Sequence, residues 1–166
     1  MEKNAAELIK GISTAIELER QAYSFYSSKA ETLGNKFITG TFEFLAKQEQ
    51  EHEHILTKLK DELKKGKWDS KDASEFEHKS FPEAEKHLRK EYAEQEKAGS
   101  DEISAVLWAM RAERRAELLY LGLKSKSSSK EGKDFFQFMA DFELGHYNML
   151  DKIVEDLTDA TDYLQN

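Results

Sequence analysis

The sequence predicts an all-α protein, a four-helix bundle built from two helical hairpins that one long crossover joins. Glutamate, lysine, alanine and leucine are abundant, and the 166 residues include a single proline, a composition that favours helices. Apolar residues recur at a helical period in four long segments. The polar stretch 67–99 is too long for a tight turn. An up-down bundle with three short loops therefore fits less well than two hairpins and a crossover.

Composition and charge limit what the chain can be. Its length suits one domain, residues 1–166, and its net charge of -8 argues against nucleic-acid binding. The absence of cysteine excludes disulfides, zinc–thiolate sites and iron–sulfur clusters. No apolar run reaches the length of a membrane span, and the N-terminal residues lack a hydrophobic signal core. We therefore expect no membrane association and a cytoplasmic protein.

The first predicted hairpin covers about residues 4–65. An asparagine capping box at Asn4 starts helix 1, and Gly34 caps its C-terminal end. Helix 2 runs from about Lys36 to Lys65 and stops at Gly66. The inward faces of these helices mix apolar and ionisable residues: Leu8, Ile12, Ala15, Glu19, Ala22 and Tyr26 on helix 1, and Phe42, Leu45, Glu49, His52, Leu56 and Leu59 on helix 2.

The crossover and the second hairpin, about residues 101–163, complete the chain. Ser80–Glu83, with Pro82 in the first turn, predicts a short helix inside the crossover. Helix 3 is expected from Ser100 or Asp101 to about Lys124, then a flexible loop 124–132, then helix 4 over about 133–163. The predicted inward faces are Val106, Ala109, Glu113, Ala116 and Tyr120, and Phe136, Met139, Glu143, His146, Leu150, Ile153 and Leu157.

The second hairpin repeats the first at a constant offset of 94 residues. The offset superimposes these pairs: Ala15/Ala109, Glu19/Glu113, Ala22/Ala116, Tyr26/Tyr120, Phe42/Phe136, Phe44/Phe138, Ala46/Ala140, Glu49/Glu143, His52/His146 and Leu56/Leu150. One offset through both halves indicates an internal duplication.

The repeat resolves an ambiguity in the segment KQEQEHEHILTK, residues 47–58, which contains two overlapping Glu-x-x-His spacings. Glu49/His52 recurs as Glu143/His146, whereas the other pair falls on a glycine and an asparagine. Glu49 and His52 also continue the apolar face of helix 2. We therefore interpret the remaining three ionisable residues as solvated surface: Glu51, Glu53 and His54.

Six ionisable residues then stand among apolar neighbours: Glu19, Glu49, His52, Glu113, Glu143 and His146. Four carboxylates buried in mid-helix lose hydration and repel one another, so cations must neutralise them. Two divalent ions balance four carboxylates if the histidines are neutral. Residues three apart are neighbours on a helix, so each Glu-x-x-His can share one metal. Oxygen and imidazole donors without thiolate favour iron or manganese.

At these residues the chain resembles the rubrerythrin-type di-iron proteins of the ferritin-like superfamily. The resemblance rests on AIELERQAYSFY, FEFLAKQEQEH, AMRAERRAELLY and FQFMADFELGH and covers nearly the whole chain outside the crossover. It implies a ferritin-like bundle holding two iron ions, with manganese or a mixed pair as alternatives. It also implies bridging by Glu49 and Glu143 and terminal ligation by the rest: Glu19, His52, Glu113 and His146. Tyr26 and Tyr120 match tyrosines that hydrogen-bond the ligands; ordinary core packing is the alternative.

Three departures from that family pattern matter. A four-cysteine rubredoxin domain is missing, so an external electron-transfer protein would have to supply electrons. The family's frequent seventh carboxylate falls on Met110 or Ala109. Glu117 is the nearest spare acid; it could be an extra ligand or a surface residue, and we interpret it as a surface residue. Gln50 follows Glu49, which does not support haem binding of the bacterioferritin kind.

The resemblance implies a non-haem oxidoreductase that reduces hydrogen peroxide or dioxygen. A ferroxidase of an iron-storage shell and a non-catalytic metal-binding bundle are the alternatives. We expect a homodimer. His78 and His87 lie in the crossover and receive no role.

Overall fold

Four helices form the part of the chain that the computed structural model describes, residues 2–66 and 99–162. They are α1, Glu2–Thr32; α2, Lys36–Lys64; α3, Ser100–Lys126; and α4, Lys130–Asp162. α1 packs against α2, α3 packs against α4, and α1 also contacts α3. The predicted all-α bundle of two hairpins is confirmed. The predicted crossover helix and the last residue of predicted helix 4 lie outside the described residues.

The direction of each helix follows from two contacts that cross the bundle. Tyr26 of α1 contacts Glu113 of α3, and Tyr120 of α3 contacts Glu19 of α1, so these two helices run antiparallel. α2 follows α1 after only three residues and runs back along it. α2 and α3 are therefore parallel, and the last residue of α2 lies at the opposite end of the bundle from the first residue of α3.

The turn between α1 and α2 is held by side chains. Asn35 Oδ1 accepts a hydrogen bond from the Ile38 amide at 3.1 Å and so caps the start of α2. Glu102 of α3 accepts from the Gly34 amide at 3.3 Å and from the Gly99 amide at 2.9 Å. One carboxylate thus ties the start of α3 to the turn of the first hairpin.

The glycines expected at two helix ends behave differently. α2 ends at Lys64 and Gly66 has a φ of 72°, a left-handed conformation that favours glycine, as the sequence predicted. α1 ends at Thr32, and Gly66 is the single positive-φ glycine among residues 2–66 and 99–162. Gly34 therefore does not end α1 by the left-handed geometry common at glycine caps.

The expected flexible loop over residues 124–132 is wrong. α3 continues to Lys126 and α4 begins at Lys130, which leaves a connection of three residues. Ser129 Oγ accepts a hydrogen bond from the Gly132 amide at 3.0 Å, the geometry of a serine helix cap. A serine-rich stretch was interpreted as a loop, although one of its serines starts the next helix.

Two apolar clusters fill the bundle, one toward each end. The first contains Tyr26, Phe37, Ile38, Phe42, Leu45, Val106, Leu150 and Ile153, and the second contains Leu8, Ile12, Ile16, Leu56, Tyr120, Leu123, Phe136 and Met139. The predicted inward faces are buried throughout, except that Ala22 and Leu59 are half-buried. The ionisable residues of those faces lie along the helices between the two clusters.

None of the four described helices has both the length and the apolar character that crossing a membrane requires.

Candidate metal centre

Each helix brings acidic residues to one level in the middle of the bundle. α1 and α3 each contribute one glutamate, and α2 and α4 each contribute a Glu-x-x-His pair. All six side chains are buried, with at most 2% of any residue exposed. They are the six residues singled out from the sequence: Glu19, Glu49, His52, Glu113, Glu143 and His146.

The first half of the centre surrounds His52. Its Nδ1 atom lies 3.1 Å from Glu143, 3.5 Å from Glu49 and 3.8 Å from Glu19. Ligand atoms from these four residues all lie within 4.8 Å of one another. One cation among them would contact donors from three helices.

The second half surrounds His146 and repeats this arrangement. Its Nδ1 atom lies 3.2 Å from Glu49, 3.2 Å from Glu113 and 3.5 Å from Glu143. These residues form a second group with ligand atoms within 4.8 Å. The two imidazole rings stack with centroids 5.5 Å apart and an interplanar angle of 25°. The duplication in the sequence is thus a near-twofold arrangement in space.

Glu49 and Glu143 belong to both groups of potential ligands. Their carboxylate oxygens are buried, and none accepts a hydrogen bond of good geometry from the described residues, although His52 Nδ1 lies 3.1 Å from Glu143 and His146 Nδ1 lies 3.2 Å from Glu49. Buried carboxylates normally have hydrogen-bond donors, because losing hydration without compensation is costly. The two residues are therefore suited to bridging a pair of cations.

The two buried tyrosines donate hydrogen bonds to the other two glutamates, in a crossed pattern. Tyr26 of α1 donates to Glu113 of α3, and Tyr120 of α3 donates to Glu19 of α1. Both hydroxyls are fully buried, and burial followed by the nearby glutamate charge raises the pKa of each phenol well above its usual range. Each tyrosine therefore remains a neutral donor that holds one oxygen of its glutamate.

The pKa values of Glu19 and Glu113 are raised, so bound protons can neutralise part of the negative charge of the cluster. Burial, and then the charges of Glu143 and Glu49, raise the pKa of Glu19 well above its usual range. Burial and the charge of Glu49 do the same to the pKa of Glu113, although His146 opposes the rise. Both glutamates thus favour the protonated form when the site has no cation.

The pKa values of the two bridging candidates shift downward, and those of the two histidines shift upward. Burial raises the pKa of Glu49, but the interactions with His146 and His52 together outweigh it and the net shift is downward. Burial and the charge of Glu49 raise the pKa of Glu143, but its interactions with His52 and His146 outweigh them, and this pKa is also lowered. Burial lowers the pKa of His52 and His146, but the surrounding carboxylates raise both well above the usual range. Without metal, therefore, two imidazolium ions face two carboxylates.

The alternative Glu-x-x-His register points away from this centre. Glu51 and His54 are exposed. Glu53 is half-buried and pairs with Arg20 of α1 at 2.7 Å, so the interpretation of this residue as fully solvated is wrong. The neighbouring helix α1 covers part of its side chain.

Glu117 is not a surface residue, contrary to the expectation. It is 7% exposed, and its carboxylate pairs with the Arg114 guanidinium one turn earlier on α3. Neither group of potential metal ligands includes it. A buried acid one turn from Glu113 is thus neutralised by an arginine and not by the proposed metal ions.

A cavity of about 250 Å³ lies between α1 and α3 and reaches the centre. The four buried glutamates form its inner wall, and neither histidine lines it. Small or apolar residues form its sides, namely Leu18, Ala22, Ala112 and Ala116, and exposed ones form its mouth, namely Gln21, Trp108, Arg111 and Arg115. Small molecules could therefore approach the carboxylates from the side opposite the histidines.

Sequence reasoning placed small alanines beside the ligands but missed the mouth of the cavity. Ala22 and Ala116, which follow the lone glutamates on the predicted inward faces, line the cavity, whereas Ala15 and Ala109 pack in the core. Trp108 is 45% exposed, an uncommon position for the largest apolar side chain. The one sequence feature that could have indicated the mouth of the cavity is this tryptophan on the outer face of α3.

The donor set fits a pair of divalent cations. Four carboxylates and two imidazoles without thiolate are typical ligands of iron, manganese or zinc, and they match the pattern of carboxylate-bridged metal pairs in four-helix bundles. The unbonded oxygens of Glu49 and Glu143 provide positions for shared coordination. The buried group is compatible with a di-iron site.

Comparisons with known proteins agree with this geometry. The family model described as Rubrerythrin matches residues 10–154. A hypothetical protein from Pyrococcus furiosus has a similar solved structure, with a TM-score of 0.67 and 28% sequence identity over 92% of this chain and 90% of that chain. No curated protein matches the chain. The match spans most of the chain and includes all six buried residues of the centre, and the chain belongs to the rubrerythrin family.

Proposed function

We propose that this protein is a non-haem di-iron oxidoreductase that reduces hydrogen peroxide or dioxygen with electrons from an external donor. The observation that supports it best is the membership of Glu49 and Glu143 in both ligand groups. Two cations would share these carboxylates and lie close enough to act together on one small oxidant. Family membership points to the same class of chemistry.

Each ligand has a defined task in this proposal. Glu49 and Glu143 would bridge the metals, Glu19 and His52 would complete one site, and Glu113 and His146 the other. Bound iron would supply the redox chemistry, because two ferrous ions together provide the two electrons that reduction of a peroxide O–O bond requires. Four carboxylates and two divalent ions together have no net charge, which lowers the free-energy cost of burying them in an apolar core.

The tyrosines and the cavity control the approach of the oxidant. Tyr26 and Tyr120 each hold one oxygen of a terminal glutamate, which leaves the second oxygen for a cation. The cavity between α1 and α3 reaches the glutamates on the side that the histidines leave open. A small oxidant entering there would meet the carboxylate-lined face of the centre.

The partners of the reaction follow from composition. The chain contains no cysteine, so it carries no rubredoxin-type iron site of its own, and we propose a separate electron-transfer protein as donor. A homodimer and a cytoplasmic location also remain proposals from the sequence.

Anaerobic iron titration followed by peroxide tests the proposal. We expect the wild type to bind two Fe(II) per chain and to be oxidised rapidly by hydrogen peroxide, with the absorption of an oxidised iron pair. Glu49→Ala should lose paired binding and fast oxidation together, because it removes a shared ligand. Glu51→Ala, an exposed glutamate two residues away, is the matched control and should behave as wild type.

Other outcomes would assign the centre differently. Binding of one metal or none per chain would contradict the di-iron site. Two bound Fe(II) that peroxide does not oxidise would indicate a metal-binding bundle without catalysis. A very large assembly with a mineral core, detected by analytical ultracentrifugation, would indicate iron storage.

A further inference from the structure

The arginines at the mouth of the cavity between α1 and α3 differ from the other described arginines in their contacts. Arg20 pairs with Glu53, and Arg114 pairs with Glu117. Arg111 and Arg115 are exposed, line the cavity, and make no ion pair with another described side chain. The chain has a net charge of -8, yet these two cations at one opening have no acidic partner among residues 2–66 and 99–162.

The cavity is larger than a peroxide or dioxygen molecule needs. A water molecule in the liquid takes about 30 Å³, and an apolar cavity of about 150 Å³ accommodates benzene. The volume here is about 250 Å³, its sides include Leu18, Ala22 and Ala112, and the exposed Trp108 lies at its mouth. A ring-sized apolar body with a polar group attached therefore fits between the mouth and the glutamates.

The internal repeat provides a comparison within the same chain. Deep in the cavity the two copies agree, since Glu19 and Ala22 of α1 correspond to Glu113 and Ala116 of α3. At the mouth they differ, and the offset of 94 residues pairs Trp108 with Thr14, Arg111 with Glu17 and Arg115 with Gln21. Only the α3 copy combines an aromatic ring with two cations. This difference is not needed to build the metal centre, because both copies supply equivalent ligands.

We propose that this cavity binds a small organic anion with an apolar body, such as an aromatic carboxylate. Guanidinium groups bind carboxylates through paired, charge-assisted hydrogen bonds, and Arg111 and Arg115 offer two such groups on one turn of α3. The apolar body packs against Trp108 and Leu18. The anionic end lies at the mouth, away from the buried glutamates that would repel it.

This site goes beyond the proposed redox function and does not depend on it. The ligand contacts the mouth and sides of the cavity, and none of these residues belongs to the six of the metal centre. A bound anion would lie between solvent and the carboxylates. Binding can therefore be measured on full-length protein without iron, and its failure would leave the iron titration unaffected.

The test is a ¹⁹F NMR titration of metal-free protein with 4-fluorobenzoate, with the neutral 4-fluorobenzamide as matched ligand. We expect saturable binding of the benzoate, about tenfold tighter than that of the amide, as expected for one charge-assisted contact. The affinity should fall as salt rises, because the arginines are exposed. No binding of the benzoate, or equal binding of both ligands, would overturn the proposal.

Variants locate the site. Arg111→Gln and Arg115→Gln should each weaken benzoate binding about tenfold and leave the weak binding of the amide unchanged. Arg114→Gln makes the same charge change on the same helix outside the cavity, and should alter the affinity less than twofold. An equal loss in Arg114→Gln would show a general charge effect and contradict a specific site. Ala112→Leu, which fills the cavity, should abolish binding of both ligands while circular dichroism remains that of a folded bundle.

Discussion

Tyr26 on α1 donates a hydrogen bond to Glu113 on α3, across the middle of the bundle. The duplicated Tyr120 and Glu19 make the same bond in the opposite direction. Each tyrosine therefore lies 94 residues from its counterpart in sequence but serves the glutamate of the other repeat. This crossed pairing joins the two halves at the level of the proposed metal centre and orients both terminal glutamates.

Removing one of these hydroxyls should weaken metal binding without removing a ligand. In Tyr26→Phe, Glu113 loses the donor that orients it, and we expect about a 10- to 100-fold loss in affinity for the metal pair. Competition with a chelator of known affinity measures the change. Tyr23→Phe, an exposed tyrosine one turn away on α1, is the control and should retain wild-type affinity. Equal affinities in all three proteins would reduce Tyr26 to a packing residue.

The choice between the overlapping Glu-x-x-His registers can be tested with two alanine variants. His52→Ala removes a buried imidazole from the first ligand group and should reduce binding from two metals to one or none. His54→Ala changes an exposed residue and should retain two. Elemental analysis after gel filtration gives the stoichiometry. The same result in both variants would contradict the assignment.

The centre was predictable from sequence because the repeat supplied information that one motif lacks. The segment around Glu49 contains two identical spacings, and the copy at Glu143 retains only one of them. The buried faces were predictable from the helical period of the apolar residues. Ionisable residues that recur on those faces in both repeats then indicated a functional site. These inferences depended on local geometry within single helices.

The features that the sequence did not predict depend on contacts between helices or on particular side-chain hydrogen bonds, neither of which can be inferred from composition. Glu117 looked like a surface acid, but it is buried and paired with Arg114. The serine-rich connection after α3 looked flexible, but Ser129 starts α4. The cavity mouth combines residues of α1 and α3, and only the packing of those two helices brings Gln21 near Arg115.

The cap at Ser129 should contribute measurably to stability. In Ser129→Ala the Gly132 amide loses its acceptor, and we expect the free energy of unfolding to fall by about 1 kcal/mol. Urea denaturation of metal-free protein measures this as a lower midpoint with an unchanged slope. Ser128→Ala, the exposed neighbour, should change the midpoint little. A flexible connection would make the two variants indistinguishable.

The stability of the metal-free protein should depend on pH in a direction set by the buried cluster. Four groups have raised pKa values in the fold, namely Glu19, Glu113, His52 and His146. Each contributes stability that is complete below its unfolded pKa and is lost as pH rises through the folded pKa. Glu49 and Glu143 have lowered values and act oppositely, losing their contribution as pH falls below 4.5.

These opposing contributions predict that the metal-free protein is most stable near pH 4.5. Below that pH Glu49 and Glu143 lose their contribution, and above it Glu19 and Glu113 begin to lose theirs, followed by the histidines above pH 6.5, so that stability falls toward pH 9. Thermal unfolding followed by circular dichroism in a chelating buffer measures it. Saturation with a divalent metal should reduce the fall above pH 7, because the metal takes the place of the protons. A melting temperature that rises steadily from pH 5 to 9 without metal would contradict the directions of these shifts.

Metal loading at neutral pH should release protons, up to four per pair of cations. Without metal, the raised pKa values of His52, His146, Glu19 and Glu113 favour two imidazolium ions and two protonated glutamates, a state in which the centre has no net charge. Coordination needs neutral imidazoles and ionised carboxylates, so two divalent ions displace each proton that these four groups hold. Isothermal titration calorimetry in buffers of different ionisation enthalpy counts them. Glu19→Gln should release about one proton fewer, and the exposed-site variant His54→Ala should match the wild type. Release of one proton or none would mean that the empty centre is already largely deprotonated. That result would contradict the idea that protons neutralise the buried carboxylates when no metal is bound.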